Sequence, residues 1–130
     1  MIVDQTNLYA RQYITKNIDN LGVRVERWVA ISVEELRAFL GLIFLTGIVN
    51  KPELSMYWSE NELYSTPYFG RVMSRNRFQL ILKFLHFVDN TTADTQDRLY
   101  KIRPVLTYVV NKCQELFQPD VNVSIDEGTL

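Results

Sequence analysis

Residues 32–48 read SVEELRAFLGLIFLTGI, the stretch with the clearest helix signals in the chain. Ser32 followed three residues later by Glu35 forms a capping box, so the sequence predicts a helix that begins at Val33. Beyond Arg37 the residues are apolar on nearly every side, which is typical of a helix surrounded by other helices. We therefore expect this helix at the centre of a mostly α-helical domain.

Gly41 lies inside the predicted central helix, where glycine costs about 1 kcal/mol of helix propensity relative to alanine. Two explanations remain open. Either a neighbouring backbone packs closely at this position, or the helix bears the loss.

Outside the central stretch, further segments show helical periodicity, so we expect about five helices in total. Residues 2–18 form an amphipathic segment, Ser74 caps another, and Pro104 suits the first turn of a last helix that ends near Pro119. Residues 51–70 indicate short helices and turns, with Ser59 and Glu62 as a second capping box. Residues 23–30 and 89–97 are interpreted as loops. The apolar spacing of the first segment is carried by Ile2, Tyr9 and Tyr13. The positions expected in the core are Phe78, Ile81, Leu82 and Leu85, together with the apolar stripe of the last helix, Leu106, Val109, Val110, Cys113, Leu116 and Phe117.

The last ten residues, 121–130, read VNVSIDEGTL and have a different period. Alternating apolar and polar residues predict one strand with a buried face, which ends at Asp126. A carboxylate on a strand end is well placed to bind a metal ion, because the backbone fixes its direction beforehand. The alternative is an ordinary surface carboxylate. Glu127 would point to the opposite side, so we interpret it as structural.

Composition limits the classes of function. The chain has 130 residues, of which 47% are hydrophobic, and this is enough for one domain with a real core. A net charge of −1 gives no global attraction to nucleic acid, so any DNA contact must come from a local patch. Cys113 and His86 are the only residues of their types, which excludes an internal disulfide and a four-ligand zinc site.

The sequence also bears on location. The N-terminus lacks the pattern of a signal peptide, and the longest apolar run, residues 39–49, is well short of the ~20 residues that a membrane span needs. We therefore expect an intracellular protein that is neither secreted nor membrane-bound.

A local basic patch is the second candidate site. Residues 63–88 contain no acidic residue. They carry Arg71, Arg75, Arg77 and Lys83, and Lys101 and Arg103 could extend the same surface. The alternative is a solvated helix face, and the four side chains need not share one side of their helix.

Three other chemically distinctive residue types are interpreted as structural. His86 lies next to the apolar face of its helix, and Cys113 falls on the apolar stripe of the last helix, where it would pack as a small hydrophobic side chain. Trp28 and Trp58 could stack on nucleobases, but tryptophans beside apolar helices belong more often to the core.

The pentapeptide SIDEG at residues 124–128 resembles the motif that opens the catalytic domain of piggyBac-type transposases. The rest of the chain is similar, in the same order, to the segment that precedes this motif in that family, so the resemblance covers essentially all of it. The residues that carry it are Thr6-Asn7-Leu8-Tyr9, Trp28, ELRAFLGL at 35–42, Tyr57-Trp58-Ser59, MSRNRF at 73–78, Leu85-His86-Phe87 and KIRP at 101–104.

The resemblance implies a division of the chain. Residues 1–119 would correspond to a helical dimerisation and DNA-binding region, and residues 120–130 to the start of a truncated RNase H-like catalytic domain. Asp126 would be the catalytic, metal-binding first acid of an incomplete triad, with Mg²⁺ or Mn²⁺ as the ion of the full-length family. The DNA-binding candidates would be Arg71, Arg75, Arg77 and Lys83.

The expected function is the N-terminal, DNA-engaging part of a piggyBac-like transposase, in a truncated or domesticated transposon-derived protein. The chain alone would not be an enzyme and would hold no cofactor. Its partners would be double-stranded DNA and a second copy of itself, with no small-molecule substrate, and its location the nucleus. The alternative is a helical protein-interaction module, derived from a transposase, that does not bind DNA.

Overall fold

The fold is mostly α-helical, as the sequence predicts. A computed structural model of the chain describes residues 1–20, 22–92 and 96–117. Within these ranges there are six α-helices: α1 (Ile2–Lys16), α2 (Val23–Glu26), α3 (Val33–Ile48), α4 (Pro67–Val72), α5 (Arg75–Phe84) and α6 (Arg103–Leu116). Two 3₁₀ turns, Ile18–Asn20 and Leu54–Trp58, lie between them. The predicted strand at residues 121–130, with Asp126 and Glu127, lies outside the described residues.

Two helix starts follow directly from local sequence. The hydroxyl of Ser32 accepts a hydrogen bond from the backbone N–H of Glu35 at 3.2 Å, and the hydroxyl of Ser74 accepts one from Arg77 at 3.3 Å. Each bond satisfies an N–H group that has no partner within its own helix. The predicted starts of α3 and α5 are therefore confirmed.

Two local predictions are wrong. Residues 23–30 contain the short helix α2, whose Val25 is buried, instead of only loop. Ser59 does not start a helix, because its hydroxyl accepts from the N–H of Asn61 in a turn.

The main core lies where α3, α4 and α5 meet. Phe39, Phe69 and Phe78 are almost completely buried there, and the rings of Phe39 and Phe78 are 4.8 Å apart. A smaller cluster forms around Phe84, whose ring is 5.5 Å from that of Tyr13 and 4.9 Å from that of Trp28. This second cluster joins α1 and α2 to the C-terminal end of α5.

Two neighbouring polar side chains of α1 tie that helix to distant segments. The amide of Asn7 accepts from the backbone N–H of Ile31 at 2.8 Å and donates to its carbonyl at 3.0 Å. The buried hydroxyl of Thr6 bonds both backbone groups of His86, at 3.2 and 3.3 Å. The Thr6-Asn7 pair therefore has a structural role, because it satisfies backbone groups that have no helical partner.

α3 is only partly enclosed. Leu36, Phe39 and Leu42 are buried on one face, whereas Phe44 and Ile48 are 74% and 78% exposed. The prediction that other helices surround α3 is wrong for this second face, at least among the described residues. No described atom outside the helix lies within 4 Å of where a Cβ on Gly41 would stand, so close packing does not explain this glycine.

α6 departs most from expectation. None of its residues is buried, and Cys113 is exposed. The prediction that its apolar stripe, including Cys113, belongs to the core is wrong for the part of the chain that the structure describes. The periodicity correctly predicts an amphipathic helix, but nothing described here packs against its apolar face closely enough to bury any residue.

Candidate nucleic-acid interface

The four basic residues expected to bind DNA do not form one surface. Arg75 and Lys83 lie eight residues apart on α5, with Gln79 midway, so the three share one side of the helix. Arg77 points to a different side because it follows Arg75 by two residues. Arg71 lies on another helix, α4, where it borders a cleft with Leu45 of α3.

Arg77 makes a structural ion pair. Its Nε and Nη2 atoms donate to the two carboxylate oxygens of Glu35 at 2.6 and 2.7 Å, and only 19% of the Arg77 side chain is exposed. The guanidinium carbon also lies 4.8 Å from the centre of the Trp28 ring. Two parallel charge-assisted bonds fix the orientation of this guanidinium, so Arg77 joins α5 to α3.

Arg75 and Lys83 are both exposed at the surface. Arg75 makes no hydrogen bond or ion pair with any described residue, although Glu60 borders the same cleft. Lys83 lies 4.5 Å from the centre of the Tyr13 ring, and its Nζ donates to the Tyr13 hydroxyl at 3.3 Å. Neither charge is neutralised by a carboxylate among the described residues.

A third cation joins this side of α5 from a distant part of the sequence. Arg24 of α2 donates from Nη1 to Oε1 of Gln79 at 3.3 Å. Gln79 lies midway between Arg75 and Lys83 on α5, so Arg24 adds a third cation to the side of the helix that carries them. We call Arg24, Arg75 and Lys83 the α5 basic stripe. Sequence reasoning missed Arg24, because residues 23–30 show no pattern that relates them to α5.

Comparison with known proteins shows the family to which the chain belongs. A family profile described as "Transposase IS4" matches residues 1–130. The chain belongs to the piggyBac-type transposase family. It is 31% identical over 127 residues to the human PiggyBac transposable element-derived protein 3, and these residues make up 98% of this chain and 19% of that protein. It is 33% identical over 118 residues to the human PiggyBac transposable element-derived protein 5, and these make up 91% of this chain and 21% of that protein. No solved structure gives a significant match.

The chain thus spans about a fifth of the length of these piggyBac-derived relatives. Family membership was predicted from the SIDEG motif and the ordered segments before it, and that prediction is confirmed. None of the helices in the described ranges is long and apolar enough to cross a membrane.

The metal site implied by the piggyBac resemblance rests on Asp126, which the structure does not describe. Within residues 1–20, 22–92 and 96–117, no three His, Cys, Asp or Glu side chains group together in a way that could hold a metal ion. The described residues therefore do not fit Mg²⁺ or Mn²⁺, since a bound ion needs several oxygen ligands.

The basic patch does not extend through Arg103. Its Nε and Nη2 atoms donate to the carboxylate of Asp97 at 2.6 and 2.8 Å. This pairing holds the pKa of Asp97 at about 2. The charge of Arg103 is therefore largely neutralised. The ammonium of Lys101 lies 5.8 Å from the centre of the Tyr100 ring.

His86 has the structural role that its sequence position predicts. Its ring stacks on Tyr9 with centres 3.6 Å apart, and its Nδ1 lies 2.9 Å from the carbonyl oxygen of Leu85. Because Nδ1 must then carry the proton, Nε2 is left to accept from the amide of Asn90 at 3.0 Å. Burial lowers the pKa of His86, and the charge of Lys101 lowers it further, although the bond to Leu85 opposes this.

The two tryptophans are packed against other side chains. Trp58 donates its indole N–H to the carbonyl of Met73 at 2.7 Å, and its ring lies 5.0 Å from that of Phe78. Trp28 lies between Phe84 and the guanidinium of Arg77. Both residues are half-buried, so their positions favour the structural interpretation over stacking on nucleobases.

Proposed function

We propose that this chain is the DNA-engaging helical part of a piggyBac-like, transposon-derived protein, and that it contacts duplex DNA through the α5 basic stripe. The observation that carries the proposal is the presence of Arg24, Arg75 and Lys83 on one side of α5 without a carboxylate partner among the described residues. Cations grouped in this way suit the phosphate backbone, which gives affinity and orientation but no sequence preference.

The proposal refines the patch expected from sequence. Arg77 is no longer a proposed DNA-binding residue, because its guanidinium is already paired with Glu35. Arg24 is added to the proposed DNA-binding residues. Arg71 remains a candidate at the edge, since its guanidinium carbon is 6.0 Å from the centre of the Tyr68 ring and makes no ion pair with a described residue. Engagement of genomic DNA would place the protein in the nucleus, which imaging of a tagged chain would test.

The second part of the proposal concerns catalysis. The family is one of metal-dependent transposases, and Asp126 matches the position of its first metal-binding acid by resemblance alone. We propose that the chain by itself does not cut DNA, because one carboxylate cannot hold the two ions that strand cleavage uses. DNA binding and DNA cleavage are therefore separable for this chain.

The test is a salt series of duplex-DNA binding, measured by fluorescence anisotropy. The affinity falls with salt, and each phosphate contact adds about 0.9 to the steepness of log K against log salt. Replacing Arg75 and Lys83 together by alanine should therefore make the slope less steep by about 2. Arg37→Ala serves as a matched control, because Arg37 is an exposed arginine of α3 that borders a cleft between α3 and α4, and no residue of the stripe lines that cleft. Unchanged affinity and slope in the double variant would contradict the proposal.

The second candidate function is the protein-interaction module without DNA contact. The exposed apolar residues of α6 and of the Phe44 side of α3 favour it, because surfaces of this kind mark sites of association. The salt series also separates the two functions. The absence of duplex binding at low salt would contradict the DNA-engaging function and leave the interaction module as the remaining candidate.

A further inference from the structure

A cleft of about 480 Å³ lies between α1 and the turn at residues 89–92. Its first wall is one side of α1, where residues three and four positions apart face the same way. That wall consists of Tyr9, Gln12, Tyr13, Lys16 and Asn17. The second wall is the turn, which contributes Asn90 and Thr91. A cleft of this size is within the range of small-ligand sites.

The carboxylate of Asp89 joins the two walls of the cleft. Its Oδ1 accepts from Nε2 of Gln12 at 3.3 Å, and from the N–H and the hydroxyl of Thr91 at 2.9 and 2.7 Å. The aromatic part is fixed as well, since the ring of Tyr9 stacks on that of His86 with centres 3.6 Å apart. The cleft is therefore formed before a ligand arrives, which lowers the cost of binding.

The side-chain amides of the cleft leave their acceptors free for a ligand. The amide nitrogens of Gln12, Asn17 and Asn90 each have a hydrogen-bond partner within the chain, at 3.3, 2.7 and 3.0 Å. Their three amide oxygens accept no hydrogen bond from the residues that the structure describes. Lys16 adds an exposed cation that has no carboxylate partner in the same part of the chain. A ligand with N–H donors would therefore find acceptors beside two tyrosine rings.

This combination of groups matches a nucleobase that carries an exocyclic amino group. Aromatic side chains stack on any base, and hydrogen bonds to the edge of an unpaired base distinguish one base from another. Adenine and cytosine present an amino group there, whereas thymine presents a carbonyl oxygen at the corresponding position. A free nucleotide and an unpaired base of DNA are the two sources of such a ligand.

Tyr13 connects the cleft with the α5 basic stripe. It lines the cleft, and the ammonium of Lys83 lies 4.5 Å from the centre of its ring. A phosphate bound by Lys83 would therefore stand beside the cleft, with Lys16 available for a neighbouring phosphate. We infer that the cleft receives an unpaired, amino-bearing base of the DNA that the stripe binds. Base recognition here rests on the proposed function, and it adds selectivity to phosphate contacts that have none.

The test measures fluorescence anisotropy with two duplexes that differ only in one unpaired pyrimidine, cytosine or thymine. The duplex with unpaired cytosine should bind about fivefold more tightly, because only cytosine donates to the free amide oxygens. Asn90→Ala should reduce this preference to less than about twofold. Asn50→Ala is the matched control, since Asn50 is another exposed asparagine and does not line the cleft. If Asn90→Ala does not fold, Gln12→Met removes a different acceptor and should have the same effect.

A second measurement separates the two sources of the base. Deoxycytidine monophosphate, more than thymidine monophosphate, should shift the NMR signals of Asn90 and Thr91 at millimolar concentrations. Such shifts without a preference for unpaired cytosine would assign the cleft to free nucleotides and overturn the DNA source. Equal binding of both duplexes with no shifts would overturn the cleft as a base site and leave the proposed function standing. A chain that binds no duplex would contradict the proposed function, and the nucleotide measurement would still decide whether the cleft binds a base.

Discussion

The two arginines at the start of α5 show how neighbouring residues of one type acquire different roles. Arg77 is 19% exposed and donates two bonds to Glu35, which is 29% exposed. Arg77→Ala would leave the half-buried carboxylate without its partner, so we expect a loss of about 2 kcal/mol in the free energy of unfolding. Arg75→Ala should change it by less than about 0.5 kcal/mol, because Arg75 is exposed.

Urea denaturation of the two single variants measures this difference. DNA binding should respond in the opposite order, with Arg75→Ala lowering the salt slope and folded Arg77→Ala leaving it unchanged. Arg77→Lys is the informative third variant, since lysine keeps the charge but cannot make the bidentate pair. A variant of Arg77 with wild-type stability would contradict the structural role.

His86 gives the stability of the domain a dependence on pH. Burial lowers its pKa in the folded chain below the ordinary value of 6.5. The unfolded chain therefore binds a proton first as the pH falls, so this contribution to stability is complete above about 6.5 and is lost toward the lower folded pKa. We expect the urea concentration at the unfolding midpoint to decrease as the pH is lowered from 7.5 to 5.5. His86→Gln should make that decrease smaller. Equal changes in both chains would show that other groups are responsible.

The hydroxyl of Ser32 determines where α3 begins. It accepts the N–H of Glu35 at 3.2 Å, while the carboxylate of Glu35 pairs with Arg77. Ser32→Ala should cost about 1 kcal/mol, because a terminal N–H of the helix loses its acceptor. Ser59→Ala is the matched control, since Ser59 lies in a turn and should matter less. A thermal midpoint unchanged by Ser32→Ala would count against this cap.

Local sequence predicts the elements that local chemistry defines. The caps at Ser32 and Ser74 and the core side of α5 depend on residues within a few positions of one another, so the pattern shows them directly. α2 has no such signal, because its four residues depend on packing of Val25 in the cluster around Phe84. The exposure of the apolar side of α6 could not be predicted either, because periodicity shows which side of a helix is apolar but not what packs against that side.

Pairs between residues far apart in the sequence decide which basic side chains are free. The partner of Arg77 lies 42 residues away in sequence, and that of Arg24 lies 55 residues away. The sequence therefore predicts a basic region but does not show which of its side chains are free and which are paired, because that depends on the packing of α2, α3 and α5. Family membership was predictable from ordered motifs, since these are themselves features of the sequence.

DNA cleavage by this chain would require a site that holds two metal ions. Metal-assisted strand cleavage uses two ions ~3.5–4 Å apart, held by several carboxylates beside the scissile phosphate. The described residues offer no group of three such ligands, and Asp126 with Glu127 would add at most two neighbouring carboxylates on opposite sides of a strand. A single carboxylate leaves the ion most of its water molecules and little affinity. We therefore expect no nicking of supercoiled DNA by the purified chain with Mn²⁺, and no difference from an Asp126→Ala control. Nicking that this substitution abolishes would mean that further ligands complete the site.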